Sequence, residues 1–426
     1  MLGAVRKLAI DLTPVRESRE FRLLSIGEGI SSLGKQAALV ALPYQVYVIS
    51  HSPALVGLLG AFELGPMVVS SLIGGALNDR YDRRMLLALA QLAVMASAAA
   101  LCVVALVAHP PVLLVLVLGG VLAGGTALDG VSSAAIIPAI LGPKRLRAGM
   151  AFNFGLYQAV GIIGPAIGGV MIETLGLPTA YALDAASCLA MLAAAMAIGS
   201  QRPAVAKEHP PVRRAIADGV RAVFSSRALS GSYVIDLVAM TFGMPRALFA
   251  VLSLTVYGTG ARGTGFLYAA VAAGGTLAVL TSGWATHARR LGRIVIYAVI
   301  VWGVAIGCAA LVRSLGPAML LLGIAGWADG VSAVCRATIT QTIATDELRG
   351  RISAFHMLVV TSGPRLGDIE SGLVAGLTSA LTSMLIGGVA CVVGVGAVVL
   401  AFPQLAAFDV EHPERVLAPG ESRQPV

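Results

Sequence analysis

Charge is what this chain has least of. Only 12% of its 426 residues are Asp, Glu, Lys or Arg, and aromatic residues make up 5%. With 57% hydrophobic residues and a mean hydropathy of +0.86, the composition excludes an ordinary water-soluble domain. The five cysteines, Cys102, Cys188, Cys308, Cys335 and Cys391, all fall in apolar stretches, and none is spaced as a metal site. That excludes a disulfide scaffold and a zinc module, and leaves them as small packing residues. The six histidines are scattered, and only His356 sits where it could touch a proton path. No Gly-x-x-x-x-Gly-Lys-Ser/Thr stretch occurs, so ATP is not the expected energy source. No cofactor or metal is implied, and no nucleophile–base pair points to an enzyme.

Long apolar runs fill the chain instead. At roughly 20 residues per crossing, twelve spans are expected: 20–49, 54–78, 85–107, 112–140, 148–172, 177–199, 230–256, 264–286, 293–312, 316–340, 352–376 and 379–402. The first follows Arg16, Arg19 and Arg22 and is long enough to span, so it does not read as a cleavable signal. Only Arg262 and Arg313 fall in outward connections, while Lys35, Arg246, Arg336 and Arg365 lie within spans. All other basic residues sit at the N-terminus, in or at the edges of the even-numbered connections, and in the C-terminal tail. The positive-inside rule then puts both termini in the cytoplasm. The net charge of +8 is a topology signal and gives no support to nucleic-acid binding.

Four segments follow: an N-terminal half at 1–199, a linker at 200–229, a C-terminal half at 230–402 and a tail at 403–426. In the linker, Pro203, Pro210 and Pro211 precede a basic, apolar stretch from Val212 to Ser225 that reads as an interfacial amphipathic helix. The tail is polar and is expected to be disordered.

A tetrapeptide is repeated 200 residues apart: Asp129-Gly130-Val131-Ser132 and Asp329-Gly330-Val331-Ser332. The echo continues in Leu146-Arg147 before Ala151-Phe152 and in Leu348-Arg349 before Ala354-Phe355. A duplicated apolar unit with matched buried acids is the plan of a transporter with two facing halves.

Between the second and third spans stands Gly74-Gly75-Ala76-Leu77-Asn78-Asp79-Arg80-Tyr81-Asp82-Arg83-Arg84. Here glycine permits close helix approach, Asp79 can cap or pair with a neighbouring helix, and Arg80, Arg83 and Arg84 hold the turn at the headgroups. The fifth span carries Gly161-Ile162-Ile163-Gly164-Pro165-Ala166-Ile167-Gly168-Gly169, in which glycines 161, 164 and 168 share a face and Pro165 bends the helix. Tight packing and a kink explain these residues without further function.

The first motif resembles the signature loop of the major facilitator superfamily, with Asp82 where a second glycine is usual, which implies a looser turn. A degenerate echo runs from Gly283 to Arg293, with His287 in place of the acid. The second resembles the antiporter motif of exporters in that superfamily and favours export over import. The whole chain resembles the enterobactin-exporter branch, through FRLLSIGEGISSLG, GGALNDRYDRR, GFLYAAVAAGGTLAVLTSGWATHARR, GWADGVSAVCRATITQT and LRGRISA. The resemblance implies an all-α membrane protein with twelve transmembrane helices in two pseudo-symmetric six-helix halves. It also implies a monomeric, proton-coupled exporter of a siderophore-like or lipophilic drug-like small molecule from the bacterial cytoplasm. A lipid or lysolipid flippase on the same fold and a non-transporting membrane sensor stay open.

Ionisable groups inside spans are costly and mark pathways, so they are the candidate proton-coupling or substrate residues. Glu28 and Lys35 share a face of the first span but stand roughly 10 Å apart along the axis, too far for a simple bridge. Lys35 could instead neutralise an acid or meet an anionic substrate. Glu63 sits in the second span, and Asp129 and Asp329 are the repeat pair. Arg336, seven residues after Asp329, shares its face and is expected to hold it. Asp236 and Arg246 in the seventh span, with Arg365, Asp368 and Glu370 in the eleventh, are expected to form one buried ion-pair network. Asp184 in the sixth span reads mainly as structural.

Overall fold

The computed structural model describes residues 11–202, 217, 220, 221, 223, 224, 226–343 and 346–411. Apolar runs unbroken by turn signals become helices: α1 (Thr13–Glu17), α2 (Arg19–Ser50), α3 (Pro53–Asn78), α4 (Arg83–Ala105), α5 (Val112–Leu175) and α6 (Leu177–Ala197). After the linker come α7 (Arg227–Phe242), α8 (Leu248–Thr255), α9 (Gly260–Leu280), α10 (Leu291–Ala309), α11 (Leu315–Ile343), α12 (Asp346–Leu377), α13 (Ala380–Ala401) and α14 (Pro403–Ala407). Among the described residues, eight helices are long and apolar enough to cross a membrane. The second arm of α5, the more polar α2 and α12, and the broken pair α7/α8 supply the other expected spans. Many large apolar side chains, including Met85, Leu113, Tyr297, Val393 and Leu400, stand exposed, as suits a face turned to lipid tails.

Four spans differ from expectation. The fourth and fifth are two helical arms that meet without a loop, because the connection expected at 141–147 is reduced to a single corner at Gly142 (φ 64°) followed by Pro143. Positive φ is open to glycine at little cost, so the chain turns on one residue. The seventh is two helices, because Pro245 offers no N–H to continue α7 past Gly243. The eighth ends at Leu280 and is followed by a tight 3-10 turn at Ser282–His287.

The chain forms two compact units, one of Met1–Ile49 with Phe62–Glu208 and one of Ser50–Ala61 with His209–Val426. In the first, Phe21, Leu87, Ile136 and Met191 form a core where α2, α4, α5 and α6 meet. In the second, Leu229 and Tyr233 of α7 pack with Ile352 and Val359 of α12. The start of α3 groups with the second unit because glycines let two backbones touch. A Cβ on Gly57 would lie 2.8 Å from Gly372 Cα, and one on Gly60 would lie 3.0 Å from the Arg365 carbonyl oxygen.

The tail does not begin as disordered chain. Leu405 and Phe408 are fully buried, Val410 N–H donates to the Arg289 carbonyl at 3.1 Å, and Arg289 pairs with Glu411 at 3.0 Å. Two apolar anchors hold the segment through residue 411, and 412–426 lie outside the described residues. Most of the proposed amphipathic linker helix lies outside them as well.

The fifth-span motif packs through two of the three glycines on its shared face. A Cβ on Gly164 would lie 2.5 Å from Gln36 Cβ, and one on Gly168 would lie 2.7 Å from Ala37 Cα, whereas nothing comes within 4 Å of one on Gly161. Gly168→Val should therefore destabilise the protein by about 1–3 kcal/mol, because the α2 backbone must move. Gly161→Val should be near neutral, and thermal melts of the two variants in one detergent check the contrast.

Candidate functional site

Each unit carries its own buried ion pair. In the first, Lys35 of α2 pairs directly with Asp129 of α5. Asp129, 1% exposed, also accepts a 2.7 Å hydrogen bond from Gln91 Nε2 of α4, whose Oε1 in turn accepts from Ser31 Oγ at 3.4 Å. Lys35 also lies 3.7 Å from Glu28 Oε1, contrary to the expectation that seven residues set them too far apart. The axial rise separates the backbones, but both side chains are long enough to bend toward each other. Ser32 and Ser133 fix Glu28 at 3.2 and 3.3 Å. Beside this cluster, Gly164 and Gly168 lay the second arm of α5 on Gln36 and Ala37, the two residues after Lys35. Pro165 and Gly169 are buried in the same arm, and Glu63 is buried in α3.

In the second unit Arg336 of α11 pairs with Asp236 of α7 at 2.8 Å and donates to Ser332 Oγ at 2.8 Å. It does not hold Asp329, because its guanidinium crosses to the neighbouring helix while Asp329 points elsewhere. Asp329 and Arg246 line a small open-sided pocket with Trp302, Phe249, Val271 and Gly326. The expected single network is thus divided. Arg365 pairs with Asp368 at 3.3 Å within α12, and Glu370 is half-buried on the same helix. Asp368 Oδ1 accepts the Ala247 N–H at 2.9 Å, and Trp302 Nε1 donates to the Gly243 carbonyl at 2.7 Å. The backbone groups freed by the break between α7 and α8 are satisfied in this way, as a non-helical stretch at membrane depth requires.

The loop after α3 works through Asp82, the residue that departs from the superfamily signature. Asp82 is the N-cap of α4, accepting from Arg84 N–H at 3.1 Å, and it also takes Ser200 Oγ at 2.6 Å and Gln201 N–H at 3.0 Å. An acid directly before a helical run was the available signal. Arg83 Nη1 donates to the Ala135 carbonyl at 3.0 Å, and Arg84 Nη1 to the Ile198 carbonyl at 3.0 Å. These arginines bind backbone carbonyls of α5 and of the end of α6, beyond any role at the headgroups. Gly75 has open space around it, and the close approach is made by Gly74, where a Cβ would lie 2.8 Å from Leu128 Cδ1. Asp79 and Arg80 stand at the end of α3 and in the turn after it. Gln91 was also missed, although a lone amide in an apolar helix is a sign of a buried polar contact.

With fold and site in view, the model of the transmembrane secretion effector family matches residues 9–420. The chain belongs to this family. As a transmembrane secretion effector of the major facilitator superfamily it is a multi-pass membrane exporter, not an enzyme. It is 28% identical over 374 residues to the enterobactin exporter EntS of Shigella boydii serotype 4 (strain Sb227), covering 88% of each chain. It is 27% identical over 413 residues to the enterobactin exporter EntS of Escherichia coli O157:H7 (strain EC4115 / EHEC), covering 96% of this chain and 98% of that one. The crystal structure of the nucleoside transporter NupG superposes with a TM-score of 0.70 at 14% identity, over 90% of this chain and 99% of that one. A bacterial homologue of the human lysosomal transporter Spinster gives 0.68 at 16% identity, over 95% and 98%.

Two expectations follow for the secretion effector. Arg336→Met leaves Asp236 as an uncompensated buried acid and should cost about 3–5 kcal/mol, most of it recovered by adding Asp236→Asn. Melting temperatures of the two single variants and the double variant check this. At Asp82, burial pushes the carboxyl pKa up. The bonds from Ser200, Gln201 and Arg84, with the Arg84 charge, outweigh that and hold it below the usual aspartate value of 3.8. Its contribution is therefore full above that value and lost as pH falls through the lowered folded-state pKa. Asp82→Asn should melt below the wild type at neutral pH, and the gap should close in acid.

Proposed function

We propose that the chain is a proton-coupled antiporter that moves a siderophore-like or lipophilic small molecule out of the bacterial cytoplasm by alternating access. It works as a monomer with both termini cytoplasmic, and its two six-helix halves, residues 1–199 and 230–402, are joined by the 200–229 linker. The observation that carries the reading is the pair of buried ion pairs. The first joins the first and fourth spans through Lys35 and Asp129, and the second joins the seventh and tenth through Asp236 and Arg336. These are equivalent helices of the two halves with the signs exchanged. A carboxylate held ionised by one cation in a dry interior is poised to take a proton when the cation is drawn away. Binding a proton at either pair would loosen a contact between two helices of one half, which is how protonation can bias a conformational equilibrium.

The siderophore-like substrate is supported by the similarity to EntS from two enterobacteria. Arg246 at the wall of the pocket adds a cation, which suits an anionic compound.

The test is a pH gradient imposed on proteoliposomes, with catecholate siderophores, lipophilic drugs and lysolipids added in turn. Substrate-dependent proton flux is expected in the wild type and should fall at least tenfold in Asp129→Asn and Asp236→Asn, with substrate binding retained. Binding without proton flux in the wild type would overturn the coupled reading.

A further inference from the structure

Among the buried acids outside the ion pairs above is one on α6. Asp184 in α6 is 0% exposed, and among the described residues neither oxygen of its carboxyl has a hydrogen-bond partner. The nearby Ser187 hydroxyl donates at 2.8 Å to the Asp184 backbone carbonyl and does nothing for the side chain. This is not how a structural acid is built. Asp129 and Asp236 each have a cation, and Asp82 has a set of donors. A buried ionised carboxylate with no donor and no contacting cation would carry its full desolvation cost. The neutral acid avoids that cost.

Its neighbours define what it can do. The carboxyl is pressed against α2 at Gly34, where a Cβ would lie 2.6 Å from Asp184 Cα and 3.0 Å from Oδ1. The next residue of α2 is Lys35, whose charge acts on Asp184 from outside ion-pair distance while its ammonium rests on Asp129 and Glu28. Asp129 comes from α5, Gln91 of α4 supplies a neutral amide, and Tyr181 and Cys188 are the other titratable groups on α6. Lysine suits a change of partner, with a compact charge on a flexible stem and three donors that rotate freely.

We infer that Asp184 and Asp129 are alternative seats for one proton, with Lys35 as the counter-ion they exchange. In the arrangement seen, Asp184 is protonated and Lys35 faces Asp129 and Glu28. Taking Glu28 and Asp129 as ionised, the four groups sum to one negative charge. In the alternative, the O–H bond at Asp184 breaks, one forms at Asp129, and the ammonium turns to the new carboxylate. The sum is again one negative charge, so the exchange adds no net charge to a dry interior. It frees Asp129 from α2 while tying α2 to α6, so the proton's position selects which helix the first span is bound to. The role in transport rests on the proton-coupled reading above, whereas the location of the proton does not.

Infrared difference spectroscopy of the full chain in lipid vesicles at neutral pH tests this through the carbonyl stretch of protonated carboxylic acids. The wild type should show a band that is lost in Asp184→Asn. The same band should be lost in Asp129→Asn, where Asp184 is intact but Lys35 keeps only the 3.7 Å contact with Glu28 and takes the ionised Asp184 in place of Asp129. A merely structural neutral acid would keep its band in that variant. Asp184→Asn exchanges a neutral acid for a neutral amide of the same shape and should melt with the wild type. If it does not fold, isotope labelling of the aspartate carboxyls identifies the band, and the Asp129→Asn arm decides alone. A wild-type spectrum left unchanged by Asp184→Asn, or a band that persists in Asp129→Asn, overturns the inference. Absence of substrate-driven proton flux in wild-type vesicles would defeat coupled export instead and leave these bands as expected.

Discussion

A carboxylate in a membrane interior must find a cation, find donors or give up its charge, and the arrangement of this exporter follows from how each acid meets that demand. Asp129 has Lys35 and the Gln91 amide. Asp236 has Arg336, while Asp368 has Arg365 and a backbone N–H. Each solution draws two or three helices together at a fixed depth, so the polar residues set which helices touch and at what register. The apolar majority cannot do this, because one leucine face is much like another to its neighbours and to lipid tails.

The exchange of signs between the halves is informative in the same terms. The repeat preserves Asp-Gly-Val-Ser, yet among the described residues Asp129 has an ion-pair partner and its counterpart Asp329 has none; the equivalent contact between helices of the second half uses Asp236 and Arg336. Duplication has kept which helices are bridged without keeping which residue bridges them. Asp329 is left at a cavity wall beside Arg246, open to roles the paired aspartates cannot take.

The spans, the loop after the second one and the glycine face of the fifth were legible in the sequence, since each is local and periodic. Partnerships were less legible. Periodicity gives the spacing of Cα atoms and says nothing of side-chain reach, so it sets Lys35 and Glu28 too far apart. It also favours partners on one helix, and so assigned Arg336 to Asp329 when its true contact lies on α7. The break at Gly243 to Ala247 depends on Trp302 and Asp368, two residues far along the chain whose contribution no window around Pro245 could contain. Asp82 was visible but read through a family pattern in which it looked like a defect.

The corner at Gly142 carries a mechanical consequence. A flexible loop would let the fourth and fifth spans turn independently, but here a single non-helical residue joins them, and each residue has only two soft torsions. Rotation of one arm about its own axis is thereby transmitted as torque to the other. One arm presents Asp129 to Lys35, and the other sets Gly164 and Gly168 against Gln36 and Ala37. The first span is thus held at adjacent residues by both ends of one crank, and any twist that loosens the ion pair also shifts the glycine seat beside it.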